Sequence, residues 1–89
     1  MLGEKELGTI LMTKAVQERA NKKELLKFLD RYRQKDWGDI PSDEKSMNNR
    51  ALKFGGKLIA AYKMRDDSTV FFVTEANRSV TTICFAEDL

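Results

Sequence analysis

The sequence predicts a small single-domain α+β protein: a short N-terminal strand and three helices, then a three-stranded antiparallel β-meander with the helices packed on one face. Three observations lead to this prediction. The chain has 89 residues, enough for one core. Residues 58–85 have the pattern of three strands separated by two polar turns, and the last two strands are rich in β-branched and aromatic side chains. The preceding half has apolar residues at helical spacing and recognisable helix ends.

The meander is the clearest part of the pattern. Its polar turns fall at residues 65–68 and 75–78, and the runs 69–74 and 79–85 contain neither Gly nor Pro. Both faces of these strands carry apolar side chains, so three short helices would leave some of them in water. Two explanations stay open: the N-terminal strand or the second helix covers the remainder, or the chain forms a homodimer through the open face. The oligomeric state is therefore left between monomer and homodimer.

The N-terminal part begins with a polar stretch, residues 1–6, that we expect to be frayed. The apolar run 7–12 is short but suits a strand that pairs with the C-terminal sheet. Thr13 then offers an N-cap, and residues 14–20 are mostly good helix formers. This segment predicts a short first helix.

The second helix is predicted over residues 22–34. Asn21 and Glu24 have the spacing of a capping box. Apolar residues then recur at intervals of three and four, which places them on one helical face. These residues are Leu25, Leu26, Phe28, Leu29 and Tyr32.

The third helix follows a break at Gly38 and Pro41. Ser42 is a suitable N-cap, and acidic residues in the first turn suit the helix dipole. The helix should end at Phe54, because the next two residues are glycines. Its predicted apolar positions are Met47, Ala51, Leu52 and Phe54.

Composition excludes several kinds of function. The chain has no histidine, and Cys84 is its single cysteine, so Cys/His zinc sites, Ser-His-Asp triads and intrachain disulfides are ruled out. We expect no cofactor or metal, and a buried Cys84. The net charge of +2 is too balanced to predict nucleic-acid binding by itself. Apolar runs stay well short of the ~20 residues of a membrane span, and the polar N-terminus is unlike a signal peptide. We therefore expect a cytoplasmic protein without membrane contact.

The segment from Asp36 to Asp39 is the first candidate site. Trp37 stands between two carboxylates, Asp36 and Asp39, in a predicted loop. Because Trp is a favoured anchor at interfaces, this segment is a candidate contact for a protein partner. The alternative is that Trp37 packs into the core while the two acids cap nearby backbone amides.

The second predicted turn carries two further candidate partner contacts, Glu75 and Arg78. An Arg fork at the end of a sheet can hold a phosphate or a carboxylate. The alternative is structural: Glu75 and Arg78 pair across the mouth of the hairpin, and Asn77 supplies the turn.

A basic stripe on the second helix gives a different candidate function. Lys23, Lys27 and Arg31 follow one another at four-residue spacing and so align on one face. Such a stripe can meet nucleic-acid phosphates, although it is also typical of the solvated side of an amphipathic helix. Nucleic acid is therefore the alternative partner, and the favoured partner is a host protein or a protein of the same genetic element.

Four segments together resemble a family of small bacterial proteins encoded largely on plasmids, integrative conjugative elements and prophages. They are residues 36–39, 49–58, 61–62 and 74–83, and the last segment is the most specific. Family members commonly have Asp where this chain has Asn77, and a different tail from Cys84 to Asp88. The resemblance implies a mobile-element accessory protein. From it and from the residues, we expect a non-enzymatic protein that binds another protein, as an anti-defence or regulatory factor.

Overall fold

A computed structural model describes residues 1–89 and confirms the predicted α+β class. Four α-helices and a 3-10 turn accompany a four-stranded sheet. In chain order the elements are α1 Glu4–Leu7, β1 Thr9–Met12, α2 Lys14–Arg19, α3 Lys22–Arg33, α4 Ser42–Phe54, β2 Leu58–Lys63, β3 Thr69–Thr74, β4 Val80–Phe85 and the 3-10 turn Ala86–Asp88.

The sheet is mixed, with strand order β1-β4-β3-β2. Strands β2, β3 and β4 form the predicted antiparallel meander. Strand β1 adds to β4 in parallel, with Thr9 opposite Val80 and Met12 opposite Ile83. The predicted N-terminal strand therefore joins the sheet as its fourth strand, and its parallel pairing makes the sheet mixed and not purely antiparallel.

The core lies between one face of the sheet and the helices. Alternate residues of the meander point into it and are buried: Leu58, Ala60, Tyr62, Val70, Phe72, Thr74, Thr81, Ile83 and Phe85. The α3 helix contributes Leu25, Phe28 and Tyr32, and the Phe28 ring stacks on that of Tyr62 with 5.0 Å between centroids. Aromatic pairs of this kind add to the free energy gained from apolar burial.

The second face of the sheet stays partly exposed. Leu11 is 51% exposed, Ile59 is exposed, and Phe71 and Val73 are half-buried. Neither β1 nor α3 covers this face, because β1 joins the edge of the sheet and α3 packs on the opposite side.

The N-terminus differs from the expectation that residues 1–6 are frayed. Leu2 and Leu7 are both buried in the core, and Leu7 is the last residue of α1. The Leu2 N–H donates to the Arg33 carbonyl oxygen at 2.7 Å, and the Arg33 side chain donates to the Leu2 carbonyl oxygen at 3.0 Å. The two leucines give the segment enough apolar burial to hold it against the C-terminal end of α3.

The α3 helix begins as predicted, at the Asn21 cap, whose side-chain oxygen accepts from the Glu24 N–H at 3.1 Å. The second hydrogen bond of the predicted capping box, from the Asn21 N–H to Glu24, does not form. The Glu24 carboxylate instead accepts from the Arg65 N–H at 3.0 Å. The cap thus also ties the start of α3 to the first hairpin turn. Among the predicted apolar positions, Leu26 is 66% exposed.

The α4 helix ends at Phe54 as predicted, but it starts at Ser42 with Pro41 in the cap position. The prediction of its apolar positions was wrong for Met47 and Phe54, which are 66% and 80% exposed. The buried residues of α4 are Asn48 and Ala51. The reason is that α4 lies along the edge strand β2, where its inner side meets backbone groups as well as apolar side chains.

Candidate functional site

The edge strand β2 is closed at Ile59 by the Asn48 side chain. Asn48 donates from Nδ2 to the Ile59 carbonyl oxygen at 2.7 Å and accepts at Oδ1 from the Ile59 N–H at 3.1 Å. One amide therefore makes the pair of hydrogen bonds that a neighbouring strand would make. This explains why a polar residue is buried on α4.

The next outward-facing residue of β2, Ala61, is paired by the candidate segment at residues 36–39. The Ala61 N–H donates to the Trp37 carbonyl oxygen at 3.2 Å, and the Asp39 N–H donates to the Ala61 carbonyl oxygen at 2.7 Å. Gly38 has φ of 77°, and a side chain there would collide with the Ala61 carbonyl oxygen and the Tyr62 ring. The sharp bend therefore requires glycine.

Trp37 belongs to the core. Its side chain is 3% exposed, and its ring packs edge-on against Tyr32 with 5.5 Å between centroids. The indole Nε1–H donates to Asn49 Oδ1 at 3.2 Å. The sequence left open whether Trp37 contacts a partner or packs into the core. The structure shows that it packs into the core, where its indole is not accessible to a partner.

Asp36 is engaged by Arg31. The Arg31 guanidinium donates to the two carboxylate oxygens at 2.7 and 3.3 Å and lies 4.8 Å from the centre of the Tyr62 ring. The hydrogen bond from Arg31 holds the pKa of Asp36 below its ordinary value. The same carboxylate accepts from the Gly38 N–H at 3.1 Å. Asp39 is exposed, and its side chain makes no hydrogen bond or ion pair.

Arg78 is also engaged within the chain. It donates from Nη1 to the Gly56 carbonyl oxygen at 2.6 Å and from Nη2 to the Ala51 carbonyl oxygen at 3.1 Å. A cation at these carbonyls suits the C-terminal end of α4. The predicted Glu75–Arg78 ion pair does not form, and Glu75 stays half-buried without a side-chain partner. The turn's left-handed residue is Arg78, with φ of 61°, whereas Asn77 accepts from the Ser79 N–H.

The basic stripe of α3 has fewer free cations than the sequence predicts, because Arg31 makes contacts within the chain. Lys23 and Lys27 are exposed and form no ion pair, but Arg31 is held by Asp36 and the Tyr62 ring. Two lysines thus remain free on this face.

A buried chain of hydroxyl groups joins α3 to the sheet. Thr81 Oγ1 donates to the Leu7 carbonyl oxygen, and 2.7 Å contacts link Thr81 to Thr74 and Thr74 to the Tyr32 hydroxyl. The hydroxyl hydrogen of Thr81 is donated to the Leu7 carbonyl oxygen. The Thr74 hydroxyl must therefore donate to Thr81 Oγ1, and the Tyr32 hydroxyl to Thr74 Oγ1. Burial raises the pKa of Tyr32 to about 12. The chain thus satisfies buried polar groups where solvent does not reach.

A surface groove lies between α4 and the start of β2, with a cavity volume of about 480 Å³. We call it the α4–β2 groove. Met47 and Phe54 line it from α4 and Ile59 from β2. The charged residues at its rim are Glu44, Arg50 and Lys57.

Sequence reasoning missed this groove because it assigned Met47 and Phe54 to the core. The i, i+4, i+7 spacing of Met47, Ala51 and Phe54 does predict one apolar face, but spacing alone does not say whether that face is covered. The inner face of α4 carries the polar residue Asn48, and a polar residue type does not indicate burial.

No cluster of three or more His, Cys, Asp or Glu side chains is placed to hold a metal ion. None of the helices has the length and apolar character needed to cross a membrane. Burial raises the pKa of the Cys84 thiol. No family model, curated protein or solved structure matches the chain.

Proposed function

We propose that this chain is a non-enzymatic accessory protein that binds another protein through the α4–β2 groove. The observation that carries the proposal is the exposure of three large apolar side chains, Met47, Phe54 and Ile59, around one concave surface. Exposed apolar side chains that are grouped together are typical of interaction sites, whereas single ones are common on any surface.

The rim of the groove indicates the chemistry of the partner. The rim carries two basic residues, Arg50 and Lys57, and one acidic residue, Glu44. A further basic residue, Lys53, lies on α4. None of these four residues forms an ion pair within the chain. The surface therefore suits a partner segment that carries apolar side chains flanked by carboxylates.

The resemblance to proteins of plasmids, conjugative elements and prophages supplies a setting for this proposal. A host protein or a protein of the same element is the partner that such a setting favours, with an anti-defence or regulatory outcome. This part of the proposal rests on the resemblance alone.

The test is an affinity capture from host lysate with three forms of the protein: wild type, Phe54→Ser and Leu26→Ser. Leu26 is the matched control, because it is a helical residue with 66% exposure and does not line the groove. Wild type and Leu26→Ser should recover the same protein, and Phe54→Ser should lose it. All three forms should unfold at the same denaturant concentration, because both substituted side chains are exposed.

Two results would contradict the proposal. One is equal recovery with Phe54→Ser and wild type, which would place the contact elsewhere. The other is recovery of nucleic acid that disappears with nuclease or at raised salt, as phosphate contacts do. That result would favour the alternative function on the basic stripe, where Lys23 and Lys27 remain free.

A further inference from the structure

The outer edge of the sheet at β1 has backbone groups that point away from β4. The Thr9 N–H donates to the Ser79 carbonyl oxygen and the Thr13 N–H to the Ile83 carbonyl oxygen, both at 3.1 Å. A trans peptide directs its C=O opposite to its N–H, so the Gly8 and Met12 carbonyls point outward. Parallel pairing likewise turns both backbone groups of Ile10 and the Met12 N–H to this edge.

One of these outward groups, and the neighbouring Gly8 N–H, are already satisfied inside the chain. The Gly8 N–H donates to the Glu4 carbonyl oxygen at 2.8 Å, and the Met12 carbonyl oxygen accepts from Gln17 Nε2 at 3.0 Å. Four groups remain: the Gly8 carbonyl, the Ile10 N–H, the Ile10 carbonyl and the Met12 N–H. The edge thus has two free donors and two free acceptors.

We propose that a second copy of this chain pairs with β1, antiparallel and about a two-fold axis, with Ile10 opposite Ile10 of the partner subunit. In this register each Ile10 N–H donates to the other Ile10 carbonyl, and each Met12 N–H donates to the other Gly8 carbonyl. The four bonds use all the free groups of both edges. The next pair in the ladder would be Gly8 N–H and Met12 C=O, the two groups that α1 and Gln17 have already satisfied.

The alternative register, with Leu11 at the axis, is less suitable. It would need the Met12 carbonyl as an acceptor, which Gln17 occupies, and would leave the Gly8 carbonyl unpaired. The set of free groups therefore selects the Ile10 register.

Side chains and charges fit the same arrangement. Ile10 and Leu11 are 41% and 51% exposed, and as neighbours in a strand they point to opposite faces. The pairing would cover part of both. It also brings Glu6 at the end of α1 towards Lys14 of the partner subunit at the start of α2. Neither residue has an ion pair within its own chain, so the register joins unpaired opposite charges.

Four hydrogen bonds and two short strands make a small interface, so the dimer should be weak and dependent on concentration. Sedimentation equilibrium over a range of protein concentrations measures it. Ile10→Pro removes an outward N–H without removing a bond to β4, and proline is tolerated at such edges. It should weaken dimerisation about tenfold. Ile10→Thr keeps the N–H and a β-branched side chain and should retain the dimer.

A second set of variants makes the test independent of proline. Glu6→Lys and Lys14→Glu should each weaken the dimer about threefold, and the double variant should restore it, because the opposite charges are exchanged. A protein that stays monomeric at every concentration would overturn the proposal. So would a dimer that neither Ile10→Pro nor the single charge variants weaken, since that dimer would use the open sheet face or the α4–β2 groove.

Discussion

The two edges of the sheet differ in how their outward backbone groups are satisfied. At β2, the Asn48 amide pairs with both groups of Ile59, and the Trp37–Asp39 segment pairs with both groups of Ala61. At β1, Gln17 donates to the Met12 carbonyl oxygen and the Gly8 N–H donates to the Glu4 carbonyl oxygen of α1. The backbone N–H and C=O of Ile10 remain without a partner.

The difference shows at which edge the chain has residues that are unusual for their positions. A buried asparagine, a glycine with positive φ and a buried tryptophan all lie along β2. They satisfy the outward backbone groups of Ile59 and Ala61, which would otherwise be free to pair with another strand. The shorter strand β1 has no residues that close its edge in this way, and the side chains of Ile10 and Leu11 are exposed there. Of the candidate site residues predicted from the sequence, Trp37 and Asp39 lie in the segment that closes β2.

The largest effect should come from removing Trp37. Trp37→Ala leaves a large cavity beside Tyr32 and frees the segment that pairs with Ala61, so the free energy of unfolding should fall by about 3–5 kcal/mol. Denaturant unfolding measures this loss. A loss below ~1 kcal/mol would show that the indole is not a core group.

The next effect concerns the Asn48 amide. Asn48→Ala removes both hydrogen bonds to Ile59 and should lower the free energy of unfolding by about 2–3 kcal/mol. Met47→Ala is the matched control, because Met47 is the preceding residue of α4 and is exposed. Equal stability of the two variants would contradict the role assigned to Asn48.

A smaller effect is expected for Arg78, which ties the hairpin turn to the end of α4 and so helps to hold that helix beside β2. Arg78→Ala should cost about 1–2 kcal/mol through lost charge-assisted hydrogen bonds to carbonyl groups. Arg50→Ala, at an exposed arginine of α4 without an ion pair, should change little. Urea unfolding of both variants separates these outcomes, and an equal change would contradict the capping role.

The smallest effect is the pH dependence of the Arg31–Asp36 pair. The hydrogen bond from Arg31 lowers the pKa of Asp36 in the folded protein below its ordinary value of 3.8. The pair therefore stabilises the fold above about pH 4, and the stabilisation is lost as the pH falls through the lowered pKa. Both side chains are about half exposed, so water keeps the effect below about 1 kcal/mol.

The variant Asp36→Asn isolates this contribution. Its stability should be lower than that of the wild type at pH 7, and the difference should shrink below pH 4. Denaturant unfolding at several pH values measures the difference. A gap that stays constant with pH would show that the carboxylate charge has no part in it.

Much of the fold was predictable from local pattern. Asn21 identifies the start of α3, the two glycines after Phe54 identify the end of α4, and β-branched runs between polar turns identify the meander. The short N-terminal strand was found from its apolar residues, but its parallel pairing with β4 depends on a contact between distant parts of the chain. Periodicity does not contain that information.

The site was less predictable, because residue type does not reveal burial. Trp37 and Arg78 suit partner contacts by chemistry, and in the structure both make contacts within the fold. Met47 and Phe54 suit a core by spacing, and both are exposed. For Met47, Phe54 and Arg78 the position of α4 beside β2 decides the outcome, whereas Trp37 is buried against Tyr32 of α3. The Asn48–Ile59 bonds help to hold α4 there, and residue type and spacing do not show this contact between residues 11 positions apart.

The most direct test of the difference between the edges is amide hydrogen exchange, measured residue by residue by NMR. In dilute protein the Ile59 and Ala61 amides should exchange slowly, because both donate within the chain, and the Ile10 and Met12 amides should exchange rapidly. Raising the protein concentration should slow Ile10 and Met12 only. Rapid exchange at Ile59 and Ala61, or protection of Ile10 in dilute protein, would contradict a closed β2 edge and an open β1 edge.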